Sequence, residues 1–314
     1  MHGYLREGRR WLAAALALAD RDAVAAPFRA RALSGAGVLA WNQADYAAAR
    51  PLLEAALALW RDLGDRQGIA FALDNLAIVA RYGGDYAAAR TLYEESLTLV
   101  RELGDRLDLA NTLDGLGLVA RYQGDFAAAR PLMEEGLAIR RDLGYRLGVA
   151  FSLNNLGDLL RSEGNPSAAR PLLEEGLALR RALGSRQGIA ISLNSLGVVA
   201  RDEGDYAAAR ALLEEGLALR REVGDRQGIA SSLHNLGVLA YLEGDYAAAR
   251  TLDGESLPIR RELGDRLGVA ECLEGLAALD AAQGRAERAA RLWGVAEALR
   301  EAINAPLPPA DRAR

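Results

Sequence analysis

The chain has 314 residues, 51% of them hydrophobic but only 6% aromatic, and its 38 positive charges, all arginine, stand against 43 acids for a formal charge of -5. That balance excludes the concentrated basic excess of a direct nucleic-acid binder, and no apolar stretch approaches the length that crosses a bilayer. One cysteine, Cys272, and two histidines, His2 and His234, exclude an intramolecular disulfide and any histidine- or cysteine-based metal cluster.

No cofactor or metal is implied by these residues, and the lone thiol fits a cytoplasmic protein. Richness in Ala, Arg, Gly and Leu without lysine points to a GC-rich bacterial source.

At the N-terminus Arg9 and Arg10 precede an apolar run, Trp11 to Ala19, and Ala23 to Ala26 resemble the cleavage region of a secretory signal. Glu7 and the charged stretch Asp20, Arg21, Asp22 oppose that reading. The same segment aligns with the second helix of a repeat: Trp11-Leu12 falls where Leu92-Tyr93 falls, and Ala15-Leu16 where Ser96-Leu97 falls. Residues 1–30 are therefore expected to hold the second helix of a preceding unit and a connection.

From residue 31 onward a phrase of the form Gly-Asp-Tyr-Ala-Ala-Ala-Arg recurs with its aromatic at Tyr46, Tyr86, Phe126, Tyr206 and Tyr246, spaced by 40 residues or twice that. The missing member falls at Pro166. A fixed period of this size marks a solenoid. Residues 31–270 hold six such units, 271–303 a divergent seventh, and 304–314 a Pro-rich tail expected to be disordered.

Within a unit, Gly64 can end one helix in a left-handed conformation and Asp65 can cap the next; Gly84-Asp85 repeats the arrangement. Each unit is thus predicted as two helices of roughly 16 to 18 residues. Leu73, Leu76, Ala77 and Ala80 share one face of the first helix, and Tyr86, Ala89, Leu92, Tyr93 and Leu97 one face of the second. A lone hairpin cannot bury both stripes, whereas stacked neighbours form one continuous core. Gly117, Gly157, Gly197 and Gly237 recur inside helices although each costs about 1 kcal/mol relative to Ala, so close helix approach is expected there.

Leu153, Leu156-Gly157, Leu160, Ala169, Leu173 and Gly176 follow the large, Leu-Gly, large, Ala, large, small spacing of tetratricopeptide repeats, which the chain therefore resembles. An extended Leu-Gly-Asp-Arg-x-Gly turn lengthens the unit, and Pro51, Pro131 and Pro171 lie inside second helices, a form similar to the 40-residue variant of kinesin light chains and bacterial regulators. The resemblance implies an all-α, right-handed solenoid of antiparallel helix pairs that binds a protein or peptide segment without catalysis. Arg288-Ala289-Ala290-Arg291-Leu292-Trp293-Gly294 with Ala305-Pro306-Leu307-Pro308-Pro309 resembles the end of the repeat region in multidomain bacterial ATPase and transcription regulators. Two other readings thus stay open: a sensor of a small effector belonging to such a regulator, of which this chain would be a fragment, and a structural spacer. Without lysine there is no Walker A motif.

In tetratricopeptide proteins the face of the first helices that carries Asp74, Ile78, Arg81 and Tyr82 lines the concave groove. The resemblance therefore implies a groove-binding column Arg81, Arg121, Arg161 and Arg201, with Tyr82 and Tyr122 beside it, entered by Trp41 and followed by Tyr241; a polar column Asp74, Asp114, Asn154, Asn194 and His234 runs alongside. Guanidiniums separated by apolar steps suit the carboxylates and carbonyls of an extended peptide. The competing reading is a set of solvated ion pairs between repeats. Arg90, Arg130, Arg170 and Arg210 are expected to pair with acids four residues later, and Cys272, in the column of Ser152, Ser192 and Ser232, to fill a small buried slot.

Repeat six departs from its siblings. Asp253 stands where Leu53, Leu173 and Leu213 stand, Gly254 replaces Glu, and Pro258 is expected to interrupt the helix. A carboxylate in an apolar slot costs several kcal/mol unless paired, so local loosening is expected there.

Overall fold

The computed structural model describes residues 7–12 and 26–308. Residues 7–12 are helical; the proposed cleavage region up to Ala25 and most of the N-terminal half-unit lie outside the described residues, as do residues 309–314 of the tail. No strand occurs among the described residues. The chain falls into two compact units, one ending at Val119 and one beginning at Ala120.

The first unit holds α1 (Ala26–Trp41), α2 (Tyr46–Leu63), α3 (Arg66–Tyr82), α4 (Tyr86–Leu103) and the start of α5 (Arg106–Tyr122). The second continues with α6 (Phe126–Asp142), α7 (Arg146–Ser162), α8 (Pro166–Ala182), α9 (Arg186–Asp202) and α10 (Tyr206–Val223). It closes with α11 (Arg226–Leu242), α12 (Tyr246–Leu263), α13 (Arg266–Ala282) and α14 (Ala286–Ile303). Consecutive helices pack on one another from α1 to α4 in the first unit and from α6 to α14 in the second, the helix-pair stacking of an α-solenoid.

The punctuation works as its residues dictate. Glycines at twenty-residue intervals, from Gly64 to Gly284, adopt φ between 65° and 89°, where a side chain would clash. After most of them an aspartate caps the following helix: Asp65 accepts from the Gly68 N–H at 2.9 Å and Asp205 from the Ala208 N–H at 3.0 Å, whereas Tyr145, Ser185 and Arg285 make no side-chain cap. Asn165 takes the same role for α8, toward the Ala168 N–H.

The core is a line of fully buried residues at matching positions, Leu53 and Leu73 in the first unit, Leu153, Leu173, Leu193 and Leu213 in the second. Helix glycines let the chains approach as expected: a Cβ on Gly157 would lie 2.7 Å from Leu173, and one on Gly197 2.7 Å from Leu213. Pro258 does not interrupt α12, which runs unbroken to Leu263. A proline removes one hydrogen bond from a helix, and packing on both sides carries α12 through it. At the chain's end Asn304 turns into the left-handed region, Ala305 is buried and its carbonyl accepts from Arg300 at 3.2 Å, so the tail is packed where it leaves α14.

Candidate functional site

In the first unit the expected groove face lies on α1 and α3. Trp41 is half-buried and donates from Nε1 to Asn75 at 3.0 Å. The Arg81 guanidinium lies 4.3 Å above the ring of Tyr82, which in turn stacks on Tyr46 with centroids 5.2 Å apart. Asp74 accepts from the Thr112 hydroxyl at 2.8 Å; burial pushes its carboxyl up to about 7, against the hydrogen bonds of Ser96 and Thr112 that favour the charged form.

In the second unit the arginines form a bonded series. Arg121 lies 4.6 Å over Tyr122 and reaches Ser162 at 3.4 Å. Arg161 donates to Asp202 Oδ2 at 3.1 Å, and Arg201 to Asp202 Oδ1 at 2.9 and 3.1 Å, so one carboxylate joins two guanidiniums from successive repeats. Tyr241 packs on Tyr246 at 5.6 Å.

Several members of the expected groove are withdrawn from the surface. Asp114 is 1% exposed, Asn154 2% and Arg201 5%. The carbonyls of Asn154 and Asn194 accept from Arg180 at 3.0 Å and Arg220 at 3.4 Å, two arginines that lie beneath the face. The polar column is therefore partly core. What remains half-buried on the face is Trp41, Asp74, Arg81 and Tyr82 in the first unit, and Arg121, Tyr122, Arg161, Asn194, His234 and Tyr241 in the second.

Arg180 and Arg220 belong to a second 40-residue series that the sequence reading missed: Arg140, Arg180, Arg220, Arg260 and Arg300, all under 10% exposed. Arg180 Nη1 also donates to the Gly188 carbonyl at 2.9 Å and Ser192 at 2.8 Å; Arg220 makes the same contacts with Gly228 and Ser232. Desolvation lowers the Arg180 pKa to about 10, Asp158 opposing it. The later members turn to acids instead, Arg260 to Glu271 at 2.7 Å and Arg300 to Glu274. The Arg-Arg doublets at 140–141, 180–181, 220–221 and 260–261 are the signal. The exposed acids also pair differently from expectation. The i,i+4 contacts Arg170–Glu174 and Arg210–Glu214 are long at 3.7 Å, and the closer partners come from the next repeat, Arg170 to Glu203 and Arg210 to Glu243.

At the junction of repeats six and seven three polar side chains meet. His234 Nδ1 lies 2.7 Å from Asp253 Oδ1, and Cys272 stands beside them, donating to Ser256 at 3.4 Å. Burial lowers the His234 pKa, but the Asp253 carboxylate outweighs it and pushes the imidazole up to about 10. The carboxylate in the apolar slot is thus paired, which removes the reason for loosening. A thiol, an imidazole and a carboxylate together are the groups of covalent catalysis, and Cys272 among them is 0% exposed.

No curated protein sequence matches the chain. Solved structures do. The Rap conjugation gene regulator of plasmid pLS20, solved with the Phr* peptide, is 16% identical over 86% of this chain and 73% of its own, with a TM-score of 0.72. BtubC (BKLC) from P. vanneervenii is 23% identical over 70% of this chain and 91% of its own, TM-score 0.55. A signal-transduction ATPase with a tetratricopeptide repeat sensor, PH0952 from Pyrococcus horikoshii, is 17% identical over 89% of this chain and 44% of its own, TM-score 0.56. At these identities the likeness speaks for fold. The tetratricopeptide repeat model itself matches in six overlapping windows, residues 28–102, 68–142, 108–182, 147–222, 188–262 and 228–302. With the helix pairs, their forty-residue period and a family match from residue 28 to 302 in agreement, the chain belongs to the tetratricopeptide-repeat family.

Proposed function

We propose that this protein is a non-catalytic module whose first helices hold an extended peptide or protein segment within a unit, with Arg81 in the first unit, and Arg121 and Arg161 in the second, contacting the segment's carboxylates and carbonyls. The observation that carries the reading is the repeated pairing of a guanidinium with an aromatic ring at one helical position, Arg81 over Tyr82 and Arg121 over Tyr122. Stacking on the ring fixes the plane of the guanidinium, which lowers the conformational cost of presenting it to a carboxylate. Support also comes from fold relatives solved with peptides, the pLS20 Rap regulator with Phr* and NprR with its cognate peptide NprX.

The test is binding of acidic and neutral peptide libraries, read by fluorescence anisotropy, to the parent and to Arg81→Ala/Arg121→Ala. Both side chains are half-buried, so the helicity of the variant is first checked by circular dichroism. A peptide bound by the parent and at least tenfold weaker in the variant supports the site; equal affinity in the two overturns it.

A second reading is favoured by the likeness to PH0952, in which repeats form the sensor of a signalling ATPase. Here the bound species is a small effector, and binding of small molecules with no peptide captured would select this reading.

A further inference from the structure

Each of the three side chains at the junction of repeats six and seven is the single departure of its type from a repeated column. The column of His234 otherwise holds Ser34, Asp74, Asp114, Asn154, Asn194 and Glu274; that of Asp253 holds Leu53, Tyr93, Met133, Leu173, Leu213 and Trp293; that of Cys272 holds alanine, threonine or serine. They come from three helices, α11, α12 and α13, and from sequence positions nineteen residues apart. Chance drift would scatter such departures along the chain, whereas these converge so that one donor atom from each lies within 4.8 Å of the other two.

We propose that His234, Asp253 and Cys272 form a binding site for a divalent transition-metal ion of zinc's class, with a fourth position left for water or an exogenous ligand. One nitrogen, one carboxylate oxygen and one thiolate are a donor set that zinc accepts, at roughly 2.0 to 2.3 Å. Tetrahedral placement at those lengths sets donors roughly 3.3 to 3.6 Å apart, so small side-chain rotations convert the observed cluster into a coordination shell. Neither a histidine nor a cysteine cluster is needed for this, which is why counting either residue type alone discounted a metal.

The surroundings favour an ion over a filled apolar slot. Two glycines leave space around the carboxylate: a Cβ on Gly275 would stand 2.5 Å from Asp253 Oδ2, and one on Gly237 3.4 Å from its Oδ1. A larger residue at position 275 would drive the carboxylate away. Asp253 and Cys272 are 2% and 0% exposed, while the His234 side chain retains 12%, which leaves an approach from solvent past the imidazole. The buried cation Arg260 acts on His234, and Glu271, which engages Arg260 at 2.7 Å and also faces His234, sets a negative charge against it. Coordination displaces the thiol proton and the proton shared by His234 and Asp253, and both pass to solvent.

The probe is Co2+, titrated into the tag-free chain carrying His2→Ala, which removes the other imidazole. The expected result is one ion per chain, a thiolate-to-cobalt charge-transfer band in the near ultraviolet, and the intense visible bands of a four-coordinate ion. Zn2+ should bleach these bands by displacement and raise the melting temperature. Cys272→Ser and Asp253→Leu install residues that the same columns carry in other repeats, so both are expected to stay helical by circular dichroism. The first should abolish the charge-transfer band, and each should weaken binding at least tenfold. A parent spectrum without that band overturns the site whatever the variants do, as does Co2+ affinity unchanged in a helical Cys272→Ser chain.

Discussion

At position 180 a charged side chain sits in the core bonded mainly to neutral groups: an amide carbonyl, a serine hydroxyl and a backbone carbonyl. Removing it deprives three buried acceptors of a donor, of which Asn154 Oδ1 keeps one from the Ser192 hydroxyl at 3.3 Å, and each buried group left unsatisfied costs about 1 to 3 kcal/mol. Arg180→Ala is therefore expected to lower stability by about 3 kcal/mol in urea unfolding. Its neighbour Arg181 has a side chain 57% exposed and only a 3.8 Å contact with Glu215; Arg181→Ala should change stability by less than about 0.5 kcal/mol. Equal effects would show that the two arginines of the doublet are not divided between core and surface. This division was not legible in the sequence, because adjacent arginines look alike in composition. It follows from helical geometry, in which neighbouring residues point about 100° apart and only one can face the next repeat.

Between elements, what matters is how closely two helices approach. A Cβ at Gly197 would lie 2.7 Å from Leu213 Cγ and 3.3 Å from the Ala209 carbonyl oxygen, whereas Gly254, also inside a helix, has nothing within 4 Å. Replacing a helix glycine by alanine gains about 1 kcal/mol where space is free, and overpacking costs about 1 to 3 kcal/mol where it is not. Gly197→Ala should thus lower the unfolding midpoint, by a net 1 kcal/mol or so, while Gly254→Ala should raise it by about 0.5 to 1 kcal/mol. Thermal and urea unfolding of the two variants side by side would check this. The expectation of close approach at Gly157 and Gly197 came from the glycines' recurrence alone and agrees with the packing. The expected break at Pro258 does not, since proline's effect on a helix depends on what packs around it and not only on the lost hydrogen bond.

Over the whole molecule, exposed ion pairs bridge successive repeats at fixed sequence offsets: Arg61–Glu95 and Arg66–Glu102 in the first unit, and Arg130–Glu163, Arg141–Glu175, Arg170–Glu203, Arg186–Glu222, Arg210–Glu243 and Arg226–Glu262 in the second. Each is solvated and worth about 0.3 kcal/mol, so together they supply on the order of 2 kcal/mol at low salt. Raising the ionic strength to about 1 M shortens the screening length to about 3 Å. Stability by urea unfolding should then fall by roughly that amount. No fall, or a rise, would mean that the pairs contribute nothing and that burial alone holds the repeats together. In a stack where each repeat touches only its neighbours, such terms add along the chain.

The sequence by itself determined the period, the helix boundaries and the fold class, because each is written locally: a glycine that must adopt positive φ, an aspartate that caps three residues on, and an apolar stripe at helical spacing. It also marked His234, Asp253 and Cys272 one at a time, each as a departure from its own column. Only the tertiary structure decided that the three meet, that Asp114 and Asn154 leave the groove for the core, and that the surface acids answer to arginines of the preceding repeat. The physical reason is the offset between helices in a stack. Residues 19, 26, 33 or 38 apart in sequence are neighbours only once one helix has settled on another, and no periodicity within a single helix contains that displacement.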